Sequence, residues 1–268
     1  MIVFPNAKIN IGLHVVSRRP DGYHNLETLF YPVVQLADAL EMAEANETRI
    51  SFSGLPVEGP PEENLVLKAF RLLKNEFNLP EVQFHLHKVI PTGAGLGGGS
   101  SDAAFTLKMV NLFFQLGLNK EQLKKFATKL GADCPFFIEN QPAFATGIGD
   151  RLSPVKIDLS DYRIVILKPD VSVNTAAAYK NIVPSKPGFQ LERLSQLPVA
   201  EWKELVVNDF ERSVFPRFPE IEKWKEKLFE LGAEYASMSG SGSAVFGLFR
   251  QLPTDFEKII PQGILFSR

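Results

Sequence analysis

One cysteine in 268 residues, Cys134, leaves no partner for an intrachain disulfide and no thiolate cluster for zinc. No apolar run approaches the roughly 18 residues that a membrane-spanning helix needs. Residues 1–10 lack the charged start and apolar stretch of a signal peptide. Charge of one sign is missing too: 29 Lys and Arg against 31 Asp and Glu give a net charge of −2. That balance gives no global pull toward nucleic acid or an anionic membrane. Internal repeats and low-complexity tracts are absent. Together these gaps point away from a disulfide scaffold, a membrane protein and a nucleic-acid-coating protein, and toward the cytoplasm. What remains is ordinary globular composition, with 45% apolar and 22% charged residues and 19 each of glycine and proline. A chain this long buries roughly three-quarters of its unfolded surface, so its core needs no staples.

Apolar periodicity places the elements. Ile9, Ile11, Leu13 and Val15 alternate with Lys8, Asn10, Gly12 and His14, which reads as a strand with one buried face and with Lys8 and Asn10 together on the other. Residues 18–22, Arg-Arg-Pro-Asp-Gly, are a turn, and a second extended run covers 23–34. Asn64 opens a helix with Val66, Phe70, Leu73 and Phe77 on one stripe. Val82, Phe84, Leu86 and Ile90 mark a strand, and Ala103, Leu107, Val110 and Phe114 a helix. Asn119 starts another, with Gln122 at the capping-box position and Gly131 as its stop. Beyond a soft boundary at 150–160 come a strand at 162–167, a helix start at 174–179, a helix at 219–231, a Ser/Gly hairpin and a strand at 244–249. Interleaved strands and helices predict a mixed α/β or α+β architecture.

The most informative segment is Pro91-Thr92-Gly93-Ala94-Gly95-Leu96-Gly97-Gly98-Gly99-Ser100-Ser101, set between a strand and a helix. Glycines let backbone N–H groups close on a ligand, and a helix N-terminus adds positive partial charge. Phosphate is the usual occupant of such a site. Gly93, Gly95 and Gly98 match the dinucleotide pattern, yet a second helix starts where that fold needs a strand ending in an acidic residue. The Walker loop would end Gly-Lys-Ser/Thr, whereas this one ends Gly-Ser-Ser, and the protein-kinase signatures are missing.

The run from Pro91 through Gly95-Leu96-Gly97-Gly98-Gly99-Ser100-Ser101 resembles the phosphate loop of the GHMP kinases. Pro5-x-Ala7-Lys8-Ile9-Asn10 and Arg19-Pro20-Asp21-Gly22-Tyr23-His24 are similar to the opening of the branch that acts on a diphosphocytidyl sugar alcohol. Gly131-Ala132-Asp133-Cys134-Pro135-Phe136-Phe137 resembles the motif of the catalytic aspartate, and 239–246 the C-terminal glycine motif. The four blocks span residues 5 to 246, while 183–206 matches nothing in the family pattern.

The resemblance implies an α+β, two-domain GHMP-kinase fold with the active site in the interdomain cleft. A ribosomal-protein-like, ATP-binding domain would cover 1–155 and a ferredoxin-like domain 156–268, residues 264–268 returning as a strand to the first. It implies transfer of the γ-phosphoryl group of ATP, with Mg²⁺, to the 2-hydroxyl of an acceptor carrying cytidine diphosphate, a step toward isoprenoids. No nucleic-acid or membrane partner is implied, and the expected state is a monomer or weak homodimer.

Asp133 would be the general base and Lys8 its partner; a plain helix-end aspartate and a solvated strand lysine are the alternatives. Residues 91–101 would hold ATP, with Asn64 and Lys88 near the adenine. Asn64 is equally a plain N-cap, Lys88 a solvated strand charge, and Ser100 and Ser101 helix caps. Tyr23 and Tyr179 would stack on the two faces of the cytosine while His24 bonds its edge; core packing explains Tyr179 nearly as well. Asn10 would bind polar groups of the acceptor, unless it is a strand-edge asparagine. The 239–243 turn would face the phosphate loop across the cleft. No dedicated carboxylate cluster offers itself for the metal, and Asp102 and Asp133 are the carboxylates considered for it. His85 and His87, two apart on one strand, form a metal-binding pair or a solvated face, and Cys134 is a small buried apolar residue. Two further readings stay open: a GHMP kinase with a mevalonate-like or homoserine acceptor, and a non-catalytic nucleotide- or RNA-binding module.

Overall fold

The computed structural model describes residues 1–180, 182–254, 256 and 264–267. In chain order the strands are β1 (Ile2–Val3), β2 (Asn6–Arg18), β3 (His24–Ala37), β4 (Ala39–Glu44), β5 (Arg49–Gly54), β6 (Val82–Lys88), β7 (Ala143–Thr146), β8 (Arg151–Pro154), β9 (Arg163–Leu167), β10 (Tyr235–Met238), β11 (Val245–Phe249) and β12 (Ile264–Ser267). The helices are α1 (Leu65–Phe77), α2 (Gly98–Phe113), α3 (Lys120–Thr128), α4 (Cys134–Glu139), α5 (Thr175–Tyr179), α6 (Trp202–Leu205), α7 (Glu211–Val214) and α8 (Pro219–Glu230).

Two compact units form. The first comprises Met1–Lys8, Pro32–Thr92 and Gly97–Gln141; the second comprises Ile9–Tyr31, Gly93–Leu96 and the described residues from Pro142 onward. In the first unit a sheet of order β1-β4-β6-β5 pairs β6 antiparallel to β4 and parallel to β5. Helices α1 and α2 pack on each other, with Val66, Phe70 and Leu73 of α1 and Leu107 and Val110 of α2 fully buried. Phe70 meets Phe84 of β6 edge-on at 5.6 Å. Each such side chain contributes about 1.5–3 kcal/mol on leaving water, which is what holds these short amphipathic helices. Asn64 caps α1 by accepting the Val66 N–H, and Asn119 and Gln122 close the expected capping box on α3.

The second unit holds the sheets β2-β3-β7-β8 and β10-β11-β9-β12. Leu13, Val165, Phe210, Val214, Ile221, Leu228, Met238 and Val245 belong to one buried cluster. The hairpin of β2 and β3 contributes Ile9–Tyr31 here because β3 pairs with β7 and because Leu13 and Val15 enter this core. The units therefore divide the chain differently from 1–155 and 156–268.

Three further differences concern the strands. Strand β2 is buried on both faces from Asn6 to Val15, so Lys8 and Asn10 are 4% and 3% exposed rather than on an open face. Strand β12 adds antiparallel to β9, with Ile264 opposite Leu167, so its pairing lies in the second unit and not in the first domain; Arg268 lies outside the described residues. The stretch 183–206 folds into short turns that bury Leu191, Leu194 and Trp202. No helix among the described residues is long and apolar enough to cross a membrane.

Candidate functional site

In the first unit the loop enters α2 at Gly97, whose φ of +70° is left-handed. A Cβ at Gly97 would lie 3.1 Å from Cε and Cγ of Lys8 and 3.0 Å from Cζ of Phe137, so glycine lets the loop rest on the lysine stem. Lys8 Nζ in turn stands 3.3 Å from Oδ2 of Asp133, with the two side chains 4% and 32% exposed. The pair is thus a sheltered ammonium beside an accessible carboxylate at the foot of the glycine loop. Asp133 precedes α4 and makes no side-chain cap to it, so its carboxylate is not spent on the helix.

Ser100 hydrogen-bonds Cys134, whose buried thiol is pushed up to about 11 and is held neutral. Ser101 lies fully buried, and among the described residues its Oγ has no hydrogen-bond partner. Asn64 acts as the cap of α1. Lys88 is not the solvated strand charge of the alternative reading. Its ammonium is buried between the carboxylates of Asp38 and Asp102. The strand parity explains this: Val82, Phe84, Leu86 and Lys88 share the inward face of β6. Asp102 is spoken for by the same contact. His85 and His87 point to the other face and join a hydroxyl ladder on β5. The rings of His85 and His87 lie 2.8 and 2.9 Å from Ser53 Oγ, and His85 also lies 2.9 Å from Ser51 Oγ.

In the second unit, Gly93–Leu96 packs against the 239–243 turn directly. Ser239 donates its hydroxyl to the Gly95 carbonyl at 2.8 Å, and the Ala244 N–H donates to the Ala94 carbonyl at 3.1 Å. The same Ser239 oxygen accepts the Asn10 N–H at 3.2 Å. Asn10 is no edge residue: its side-chain amide donates to Thr28 Oγ1 at 3.0 Å. Thr28 spends its own proton on the Gly12 carbonyl at 2.6 Å, so it can only accept from Asn10, which fixes which way that amide faces. Asn208 pins the turn from beneath by donating to the carbonyls of Met238 and Gly240.

His24 stacks on Tyr179 with centroids 4.7 Å apart and planes 16° from parallel, and Tyr179 meets Phe210 edge-on. Tyr23 stands apart, 64% exposed, at the end of a turn closed by the Arg19–Asp21 ion pair. Partial burial, helped by Arg18, lowers the His24 pKa below 6.5, so the ring is neutral at pH 7. Thr28, Asn208 and Asp38 were not legible as site residues, since their partners lie far away in sequence and no local motif marks them.

Comparison with known proteins places the whole chain in a family. The family description "GHMP kinases N terminal domain" matches residues 64–147 and "GHMP kinases C terminal" matches 194–259. A 4-diphosphocytidyl-2-C-methyl-D-erythritol kinase of Parabacteroides distasonis is 55% identical over 96% of this chain and 94% of its own. A kinase of the same name from Bacteroides fragilis is 55% identical over 93% of this chain and 92% of its own. A crystal structure of 4-(cytidine 5'-diphospho)-2C-methyl-D-erythritol kinase superposes with a TM-score of 0.80 at 36% identity, covering 92% of this chain and 90% of that one. With its two-domain fold of mixed helices and sheets, the chain belongs to the GHMP kinase family.

Proposed function

We propose that this kinase transfers the γ-phosphoryl group of ATP to the 2-hydroxyl of 4-diphosphocytidyl-2-C-methyl-D-erythritol, giving the 2-phosphate and ADP. The observation that carries the reading is the Lys8–Asp133 pair, 3.3 Å apart, with the Lys8 stem packed under Gly97. Relatives that bear this activity in their names at 55% identity support the choice of acceptor.

In the proposed step the acceptor oxygen bonds to the γ-phosphorus while the bond from that phosphorus to the bridging oxygen breaks, and ADP leaves. The hydroxyl proton passes to the Asp133 carboxylate. Lys8, paired with that carboxylate at 3.3 Å, draws charge from the oxygen that attacks. The N–H groups of the glycine loop and of the first turn of α2 receive the phosphates. Asn10, held by Thr28, bonds polar groups of the acceptor, and Tyr23, His24 and Tyr179 recognise the cytosine. Among the described residues no three His, Cys, Asp or Glu side chains form a metal cage. That fits an ion arriving on the nucleotide, since Mg²⁺ is commonly carried by phosphates, waters and one or two carboxylates. Asp133 is the accessible carboxylate close to the loop that could join it, and the ion would neutralise phosphate charge.

The test is ADP release with purified protein. Release should require the cytidyl acceptor and should not occur with homoserine or mevalonate. Asp133→Asn and Lys8→Met should each lower kcat by about 10²–10⁴, the usual worth of a positioned proton acceptor, with unchanged melting curves. Near-normal turnover in either variant would remove that residue from the step. ADP release with homoserine or mevalonate instead would overturn the acceptor.

A further inference from the structure

The two stems of the glycine loop are tied together by one buried ammonium. Lys88 closes β6, three residues before Pro91. Its Nζ bonds Asp38 and, at 2.8 Å, Asp102, and the three side chains are 3%, 0% and 4% exposed. Asp38 lies between β3 and β4. Its second oxygen accepts the N–H of Val89 at 2.6 Å and of Ile90 at 2.8 Å, the residues that lead into the loop. Asp102 opens the second turn of α2, directly after the last loop residue, Ser101. Gly98, the first residue of that helix, lies directly over the cluster: a Cβ there would come within 3.1 Å of Lys88 Nζ and 2.9 Å of Ile90 Cγ2.

Stability alone does not account for three buried charges. A well-packed apolar trio would join a strand to a helix with no desolvation cost, and replacing whole buried ion clusters by apolar groups is often neutral or stabilising. The arrangement is also uneven. Asp38 has its oxygens satisfied by two backbone N–H groups and the ammonium, whereas Oδ1 of Asp102 has no hydrogen-bond partner among the described residues. What charged groups do provide is a directional contact of fixed length.

We infer that Lys88, Asp38 and Asp102 act as a clamp that fixes the spacing of the two stems of the glycine loop, and so sets nucleotide affinity by positioning, with none of the three touching the nucleotide. This rests on the reading that the loop receives the nucleotide phosphates. The shape of the cradle depends on where its stems start and end. A helix N-terminus displaced by a fraction of an ångström presents its N–H groups at the wrong place for phosphate oxygens.

Calorimetric titration of ADP and of the cytidyl substrate at pH 7.5 tests the clamp. Asp102→Ala leaves the Lys88–Asp38 pair whole, so the cluster keeps a neutral core. It should weaken ADP about tenfold and leave the cytidyl substrate within about twofold of the parent. Asp102→Ser, whose hydroxyl is too short for the ammonium, should behave likewise and serves if the alanine variant fails to fold. Asp102→Asn keeps an acceptor for Lys88 and should restore ADP binding to within about threefold. Unchanged ADP binding in the alanine or serine variant overturns the clamp, as does an asparagine variant no better than alanine. Gly95→Ala separates the two readings: if it too leaves ADP binding untouched, the phosphate-loop assignment itself fails.

Discussion

Ser239 holds Gly95 from two sides: its hydroxyl donates to the Gly95 carbonyl at 2.8 Å, and its own carbonyl oxygen stands 2.0 Å from where a Cβ on residue 95 would lie. Gly95 has a φ of +77°, which an L side chain adopts only with strain.

Gly95→Ala therefore carries a backbone clash and a strained dihedral together. Strain of this kind costs on the order of 1–3 kcal/mol, and a contact so short forces the loop or the turn to move. Nucleotide binding should be lost while binding of the cytidyl substrate survives, because Tyr23, His24 and Tyr179 are not part of the contact. Titration of ADP and of the cytidyl substrate against the same preparation checks this. An alanine variant that binds ADP normally would remove the glycine loop from phosphate binding.

The stacked His24 predicts a pH response. Burial first, and Arg18 second, lower its pKa below 6.5. The neutral ring is then the working form at pH 7, and its protonation is displaced to lower pH than that of a free imidazole. Affinity for the cytidyl substrate should hold from pH 8 to 7 and decline only in the acid range. His24→Gln, which cannot titrate, should show no such decline. A midpoint above 6.5 in the parent would contradict the assignment of this ring to the cytosine edge.

The residues that were legible in the sequence share one property, a local signal. Asn64, Asn119 with Gln122, and the glycine loop between strand and helix are each read within a few residues, and the structure places each where its pattern says. Lys8 and Asp133 were paired by family resemblance, since 125 positions separate them and nothing in either neighbourhood names the other. Lys88 shows how a local signal can be missed. Its parity with Val82, Phe84 and Leu86 already put it on the inward face, but a lysine is so seldom buried that it reads as solvated unless its counter-charges are known. Those charges, Asp38 and Asp102, lie 50 and 14 residues away. Short strands such as β4 and β5 carry little local signal for a related reason. Their alternation is brief, and β5 acquires its meaning only from a parallel partner beyond α1.

Asp102 also makes the stability of the fold depend on pH in an unusual direction. Burial is the main cause that raises its pKa from 3.8 to about 7, with Asp38 adding to it and Lys88 opposing it. A carboxyl whose folded pKa lies above its unfolded one binds more protons in the native state. Its contribution to stability is complete below about pH 4 and is lost as pH rises through about 7. The physical content is charge: with both carboxylates ionised the cluster carries −1, and one proton on Asp102 brings it to neutrality. Asp102→Asn is neutral at every pH and keeps an acceptor toward Lys88. The melting temperature of the parent relative to this variant should therefore fall from pH 5 to about pH 7 and level off above it. Other titrating groups are common to both proteins and cancel in the difference. Parallel melting curves across that window would mean that Asp102 is already ionised at pH 5 and that Lys88 outweighs its burial.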